Sequence, residues 1–161
     1  MKTIIIYASK YGSTREIAKR VAAHIEGAVT HDLRLPGAPP LSEYGRVIIG
    51  SPLYAGAIRK EAKAYMESNN YALRGKTLGL FICGIDQENG AKHLKSNFSS
   101  ELLDSAKATA FLPSVYDPGI VSFFDRVIVK IAAKRHCYTD LTDDGQIQAF
   151  ADAFLSTTKV M

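Results

Sequence analysis

Tryptophan is absent from this 161-residue chain, cysteine occurs only twice, and no apolar run reaches the roughly 18 residues of a membrane-spanning helix. Each absence closes off a class of function. Cys83 and Cys137 stand alone, with neither a CxxC pair nor finger-like spacing, so a disulfide framework and a structural zinc site are not expected. Free thiols suit a reducing, cytoplasmic compartment. The opening MKTIIIYASKYG has too short an apolar run for a secretory signal. His24, His31, His93 and His136 are scattered without HExxH spacing, so no metal centre and no acid–base constellation is expected. The dinucleotide pattern GxGxxG is missing. Gly75-Lys76-Thr77 is not a phosphate loop of the Walker type, because Asn70 stands where the earlier glycine belongs and a strand follows. There is no repeat, low-complexity tract or linker, so residues 1–161 read as one domain. The net charge of +4 is modest and predicts no nucleic-acid partner.

What the chain does contain is a regular alternation. Thr3–Ala8, RVIIGS from Arg46 and KTLGLFICG from Lys76 are apolar, β-rich runs too short for core helices. AVTHDLR gives a weaker strand, and ATAFLPSVY from Ala108 a fifth. Between them lie helical patterns. Ile17, Ala18, Val21, Ala22 and Ile25 share one face, with Gly27 as terminator. Ile58, Ala62, Tyr65 and Met66 mark a second helix. Ala91, Leu94, Phe98 and Leu102 mark a third, read as continuous. Ile147, Phe150, Ala151 and Phe154 mark a last one, with Thr142 as its expected N-cap. Strands apolar on both faces, alternating with helices, predict an α/β fold: a doubly wound, five-stranded parallel sheet with helices on both sides.

In such a sheet a ligand sits outside the carboxyl ends of the strands. After the first strand, Ser9, Lys10, Tyr11, Gly12, Ser13 and Thr14 place hydroxyls and a flexible glycine where a helix begins. Helix N-termini carry free N–H groups and partial positive charge, so this turn can wrap a phosphate, better a phosphomonoester than a triphosphate with magnesium. After the third strand come Ser51, Pro52, Leu53, Tyr54, Ala55 and Gly56, with an aromatic able to stack on a flat ligand. After the fourth, Cys83, Gly84, Ile85 and Asp86 let backbone approach a ring.

These three loops in this order resemble the flavodoxin family across essentially the whole chain. The resemblance implies bound FMN, with Ser9, Lys10, Tyr11, Gly12, Ser13 and Thr14 about its phosphate. Ser51 to Gly56 would then flank one side of the isoalloxazine and Cys83 to Asp86 the other. It implies electron transfer with redox partner proteins and chemistry located at the flavin. Flavodoxins are commonly acidic and often stack a tryptophan on the flavin; this chain is basic and leaves stacking to Tyr54.

One stretch, Gly119 to Asp140, departs from that plan as an insertion-like segment. Arg126, Lys130 and Lys134 recur every four residues, beside an apolar stripe of Ile120, Phe123, Phe124, Val127 and Ile131. It reads either as a helix covering the sheet or as a surface for a membrane's inner face or a partner. Phe124–Lys130 followed by Tyr138–Asp140 also resembles the bacterial menaquinone-dependent protoporphyrinogen oxidases, a flavodoxin-like branch, which would imply quinone and porphyrinogen as substrates.

Overall fold

The computed structural model describes residues 1–132 and 137–157. Five parallel strands form the sheet: β1 (Thr3–Tyr7), β2 (Val29–Asp32), β3 (Arg46–Tyr54), β5 (Thr77–Gly84) and β6 (Ala108–Pro113), in the order β2-β1-β3-β5-β6. A short β4 (Ala57–Ile58) folds back antiparallel on the end of β3. The order reverses between β1 and β3, where Ile4 lies beside Val47 and Tyr7 beside Gly50. Loops leaving this point diverge, and the crevice between them is where a ligand enters.

Side-chain alternation divides the core. Ile5 and Tyr7 point to the face covered by α1 (Ser13–Ala23) and α7 (Asp144–Leu155), packing with Ile17, Val21, Phe150 and Phe154. Ile4 and Ile6 point the other way. They join Met66 of α2 (Lys60–Ser68), Leu73 of α3 (Asn70–Leu73), and Phe98, Leu94 and Leu102 around α4 (Gly90–Asn97) and α5 (Ser100–Ser105). Gly50 is required here: a Cβ on it would fall 2.1 Å from the Phe81 ring. Single 3₁₀ turns occupy Leu41–Glu43 and Gln87–Asn89.

Several elements differ from the sequence reading. The third helix is two: Phe98 is extended, and the Ser99 hydroxyl caps α5 by accepting from the Leu102 N–H. Ala91 is exposed, and Gly90 takes the buried position, pressed against Phe111. Asp143, rather than Thr142, caps α7 by accepting from the Gln146 N–H at 3.1 Å. The Thr142 N–H is already spent on Asp140. The third-strand loop is mostly strand, closed by a two-residue turn at Ala55 (φ 49°) and Gly56 (φ 80°). Both residues being left-handed matches the strand twist of a tight hairpin.

The fifth strand stops at Pro113. Val115–Tyr116 (β7) instead pairs antiparallel with Thr139–Asp140 (β8). This ribbon closes the base of the 119–140 segment, which holds α6 (Phe123–Ala132). Helix α6 does not cover the sheet. It lies over the strand ends with Phe123, Phe124 and Ile131 in solvent. Lys134 lies outside the described residues. Among the described residues no helix is long and apolar enough to cross a membrane.

Candidate functional site

The turn after β1 opens toward the crevice. Gly12, at φ 95°, is the N-cap of α1 and has no side chain with which to close the helix end. The first intrahelical bond is Glu16 N–H to Gly12 C=O, so the N–H groups ahead of it are left to whatever lies outside. Ser9 Oγ, almost fully buried, accepts from the Gly12 N–H at 3.0 Å and fixes the turn. A Cβ at Gly12 would meet nothing within 4 Å, so the cradle is open above it.

Thr14 Oγ1 accepts from the Cys83 thiol at 3.1 Å. That bond uses a lone pair and leaves the hydroxyl proton of Thr14 free to donate to an anion. Complete burial pushes the Cys83 thiol up to about 12, so it stays protonated and acts as a support beneath the loop.

Two cavities meet the loops. The larger, about 290 Å³, is lined by Ser9, Lys10, Tyr11, Ser13 and Thr14 on one wall and by Pro52, Tyr54, Tyr116, Val121, Val129 and Tyr138 among others. The smaller, about 100 Å³, is bounded by Leu53, Tyr54, Ala55 and Gly56, by Gly84, Ile85 and Asp86, and by His93, Ile128 and Val129. Tyr54 and Val129 belong to both and stand between them. Of the sixteen residues named from sequence, Gly12, Ser51 and Cys83 line neither cavity. Gly12 shapes the turn. Ser51 Oγ is buried, accepting from the Arg59 N–H and donating to the Pro52 carbonyl, so it braces the β3–α2 connection.

Lys10 is engaged rather than free. Its ammonium pairs with Asp125 of α6, to which Tyr11 Oη also donates. Tyr11 Oη in turn accepts from the Ser122 N–H at 3.1 Å, and Ser122 Oγ caps α6 through the Asp125 N–H. Burial works against the Asp125 carboxylate, yet the bonds from Lys10 and Tyr11 outweigh it and hold the carboxyl below its usual range. The bond to Asp125 correspondingly raises Lys10. The Lys10 ammonium also lies 5.2 Å from the Tyr11 ring centroid and 5.1 Å from that of Tyr54, and the two rings meet edge-on at 5.9 Å. Burial raises the Tyr54 phenol, which stays neutral. The turn therefore presents hydroxyls and backbone N–H groups to the larger cavity, with its lysine charge balanced.

On the other side Asp86 holds His93 Nε2 at 2.7 Å, a bond that lowers the Asp86 carboxyl, while His93 stacks on Phe111. Asn97, one turn on, donates to the Gly56 carbonyl and accepts from the Ile58 N–H, tying the hairpin to α4. The sequence reading missed His93, Asp125 and Val129. The four-residue spacing of His93 and Asn97 was one available signal. Another was Asp125 as the lone acid within a basic, apolar helix.

A family model described as a flavodoxin domain matches residues 4–142. No curated protein matches the chain. Among solved structures, oxidised Flavodoxin 1 from Bacillus cereus aligns at TM-score 0.59 and 15% identity, over 98% of this chain and 99% of its own. A short-chain flavodoxin associated with a non-canonical PDU bacterial microcompartment aligns at 0.60 and 12%, over 96% and 97%. The rubredoxin oxygen:oxidoreductase of Desulfovibrio gigas aligns at 0.58 and 17%, over 95% of this chain, which spans only 35% of that one. At these identities the likeness is one of fold.

Proposed function

The chain belongs to the flavodoxin-domain family, and from that premise we propose that it binds FMN at the ends of β1, β3 and β5 and serves as an electron-transfer protein. The observation that carries the reading is the uncapped start of α1 at Gly12, ringed by the Ser9, Ser13 and Thr14 hydroxyls, beside an aromatic-lined cavity. That donor set fits a phosphomonoester: a helix N-terminus with three hydroxyls and no unbalanced lysine. Ser13, Thr14 and the α1 N–H groups would hold the phosphate. Tyr54 on one side, and Gly84 to Asp86 with His93 on the other, would hold the ring. A ligand reaching from α1 to the β5 loop has to pass Tyr54 and Val129, so these two side chains set its path.

Bound there, FMN supplies one- and two-electron transfer at its ring. The residues of this chain position it, shield it through Tyr54 and α6, and tune it by backbone contact. The purified protein should be yellow. Ser13→Ala and Thr14→Ala should each weaken FMN about tenfold or more, as charge-assisted bonds to a dianion contribute roughly 1.5–3 kcal/mol. Unchanged affinity in both variants, measured by fluorescence titration of the apoprotein, would place any flavin elsewhere.

A second reading, oxidation of a porphyrinogen with a quinone as acceptor, is favoured by one observation: α6, in the segment that resembles that oxidase branch, walls both cavities through Val129. Turnover of protoporphyrinogen with a menaquinone analogue separates it from electron delivery to protein partners.

A further inference from the structure

Helix α6 divides its circumference three ways. Val121, just ahead of it, and Asp125 are buried and Val129 is half-buried; spaced by four residues, they form the inward edge. The apolar arc beside it, about 140° wide at 3.6 residues per turn, carries Phe123, Phe124, Val127 and Ile131, with Ile128 at its inner end against the smaller cavity. Phe124 at 78% and Ile131 at 75% are exposed near the middle of the arc, and Phe123 at 67% is exposed at its edge. Arg126 and Lys130 run along one margin, Lys130 only about 20° around from Phe123. Both are exposed, and neither pairs with a carboxylate among the described residues. The helix's one acid, Asp125, is turned inward onto Lys10 and Tyr11.

That anchor matters. It stops α6 from rolling its apolar face onto the protein, so the face is held outward by a charged contact that it does not itself need. A soluble domain rarely leaves so contiguous an apolar strip without an occupant. The occupant has to accept aromatic and branched side chains and also supply negative charge beside them. In an antiparallel two-fold contact a second copy of this chain would set the same cationic margin against itself, and in a parallel one that margin would find no outward acid on α6, so self-pairing leaves the charge unanswered. An anionic bilayer supplies both at once: acyl chains for the strip and phosphates for the margin.

We infer that α6 seats this protein on the surface of an anionic membrane, with Phe124 and Ile131 at the acyl boundary and Arg126 and Lys130 among the headgroups. The helix lies in the interface; it does not cross. Its inward edge walls both strand-end cavities through Val129, so the seat brings those cavities to the lipid surface. The inference stands on α6 alone and does not depend on FMN.

Co-sedimentation of the full chain with vesicles tests it without any flavin readout. The expected result is binding to phosphatidylcholine mixed with phosphatidylglycerol, and little to phosphatidylcholine alone. Raising salt from about 0.05 to about 0.5 M should weaken binding at least tenfold, since the screening length shrinks to a few ångströms. Arg126→Gln with Lys130→Gln should weaken it by a similar factor. Phe124→Glu with Ile131→Glu should abolish it while leaving the thermal midpoint close to that of the parent, because both side chains are already in water. Absence of binding at low salt, equal binding to both vesicle types, or undiminished binding by the glutamate pair would each overturn the inference. So would a concentration-dependent dimer that the glutamate pair dissolves and that does not bind vesicles, which would assign the face to a second copy.

Discussion

Helices α6 and α7 follow one another along the chain, both are amphipathic, and they bury opposite things. Helix α7 lays Ile147, Phe150, Ala151 and Phe154 on the sheet beside α1, and all four are buried. Helix α6 turns Phe123, Phe124 and Ile131 to solvent and buries a carboxylate instead. The difference lies in what space was left. One sheet face is taken by α1 and α7, the other by α2 to α5, so a further helix has no apolar floor to lie on. It is held at the strand ends by Asp125, Tyr11, Lys10 and Ser122, a polar fastening in place of a hydrophobic one. Hydrophobic periodicity reports that a helix has two sides; it does not report which side the rest of the protein will cover.

The sharpest way to break the comparison is to truncate the matching aromatic on each helix. Phe154 has no exposed surface and packs over Gly79, so Phe154→Ala should cost about 3–5 kcal/mol in urea unfolding. A cost below about 1 kcal/mol would mean that α7 is not the floor of the core. The next largest effect falls on the fastening. Asp125→Asn removes the charge that Lys10 and Tyr11 share, and should raise trypsin cleavage after Arg126 or Lys130 by roughly five- to thirtyfold, corresponding to about 1–2 kcal/mol, with little change in global unfolding.

The same fastening has a definite pH sense. Because the folded-state pKa of Asp125 is lowered, its contribution is complete above the ordinary carboxylate range, about pH 4. It is lost as the pH falls through the lowered value. Cleavage susceptibility of α6 should therefore be flat between about pH 5 and pH 8 and rise only in stronger acid. A rise near neutrality would point to a different fastening group. The smallest effect belongs to the exposed partner in the comparison: Phe124→Ala should move stability by no more than about 0.5 kcal/mol, the range of a surface substitution.

Much of the scaffold was legible. The runs Ile4–Tyr7 and Leu78–Cys83 carry only apolar side chains and glycine because both sheet faces are covered, and their shortness and β-branched or aromatic content mark them as strands. The turn from Ser9 to Thr14 was legible as a strand-to-helix junction for a similarly local reason: hydroxyls and a glycine suit the start of a helix. Boundaries were harder wherever a side chain competes with the backbone. Ser99 breaks one expected helix into two, and Asp143 displaces Thr142 as a cap, because each offers an oxygen to an N–H three residues on, a choice that periodicity does not record.

The amino-acid order by itself determined where the five main strands and most of the helices lie, that the strands run parallel, and that hydroxyls gather at the start of α1, since each follows from short-range spacing. Only the tertiary structure decided that Lys10 is balanced by an acid 115 positions away, that Cys83 supports the loop from beneath, and that His93 and Val129 meet the loops from different helices. It decided too that α6 faces outward. These are contacts between groups far apart in the chain, selected by which surfaces the sheet had already filled, and no local pattern carries that information.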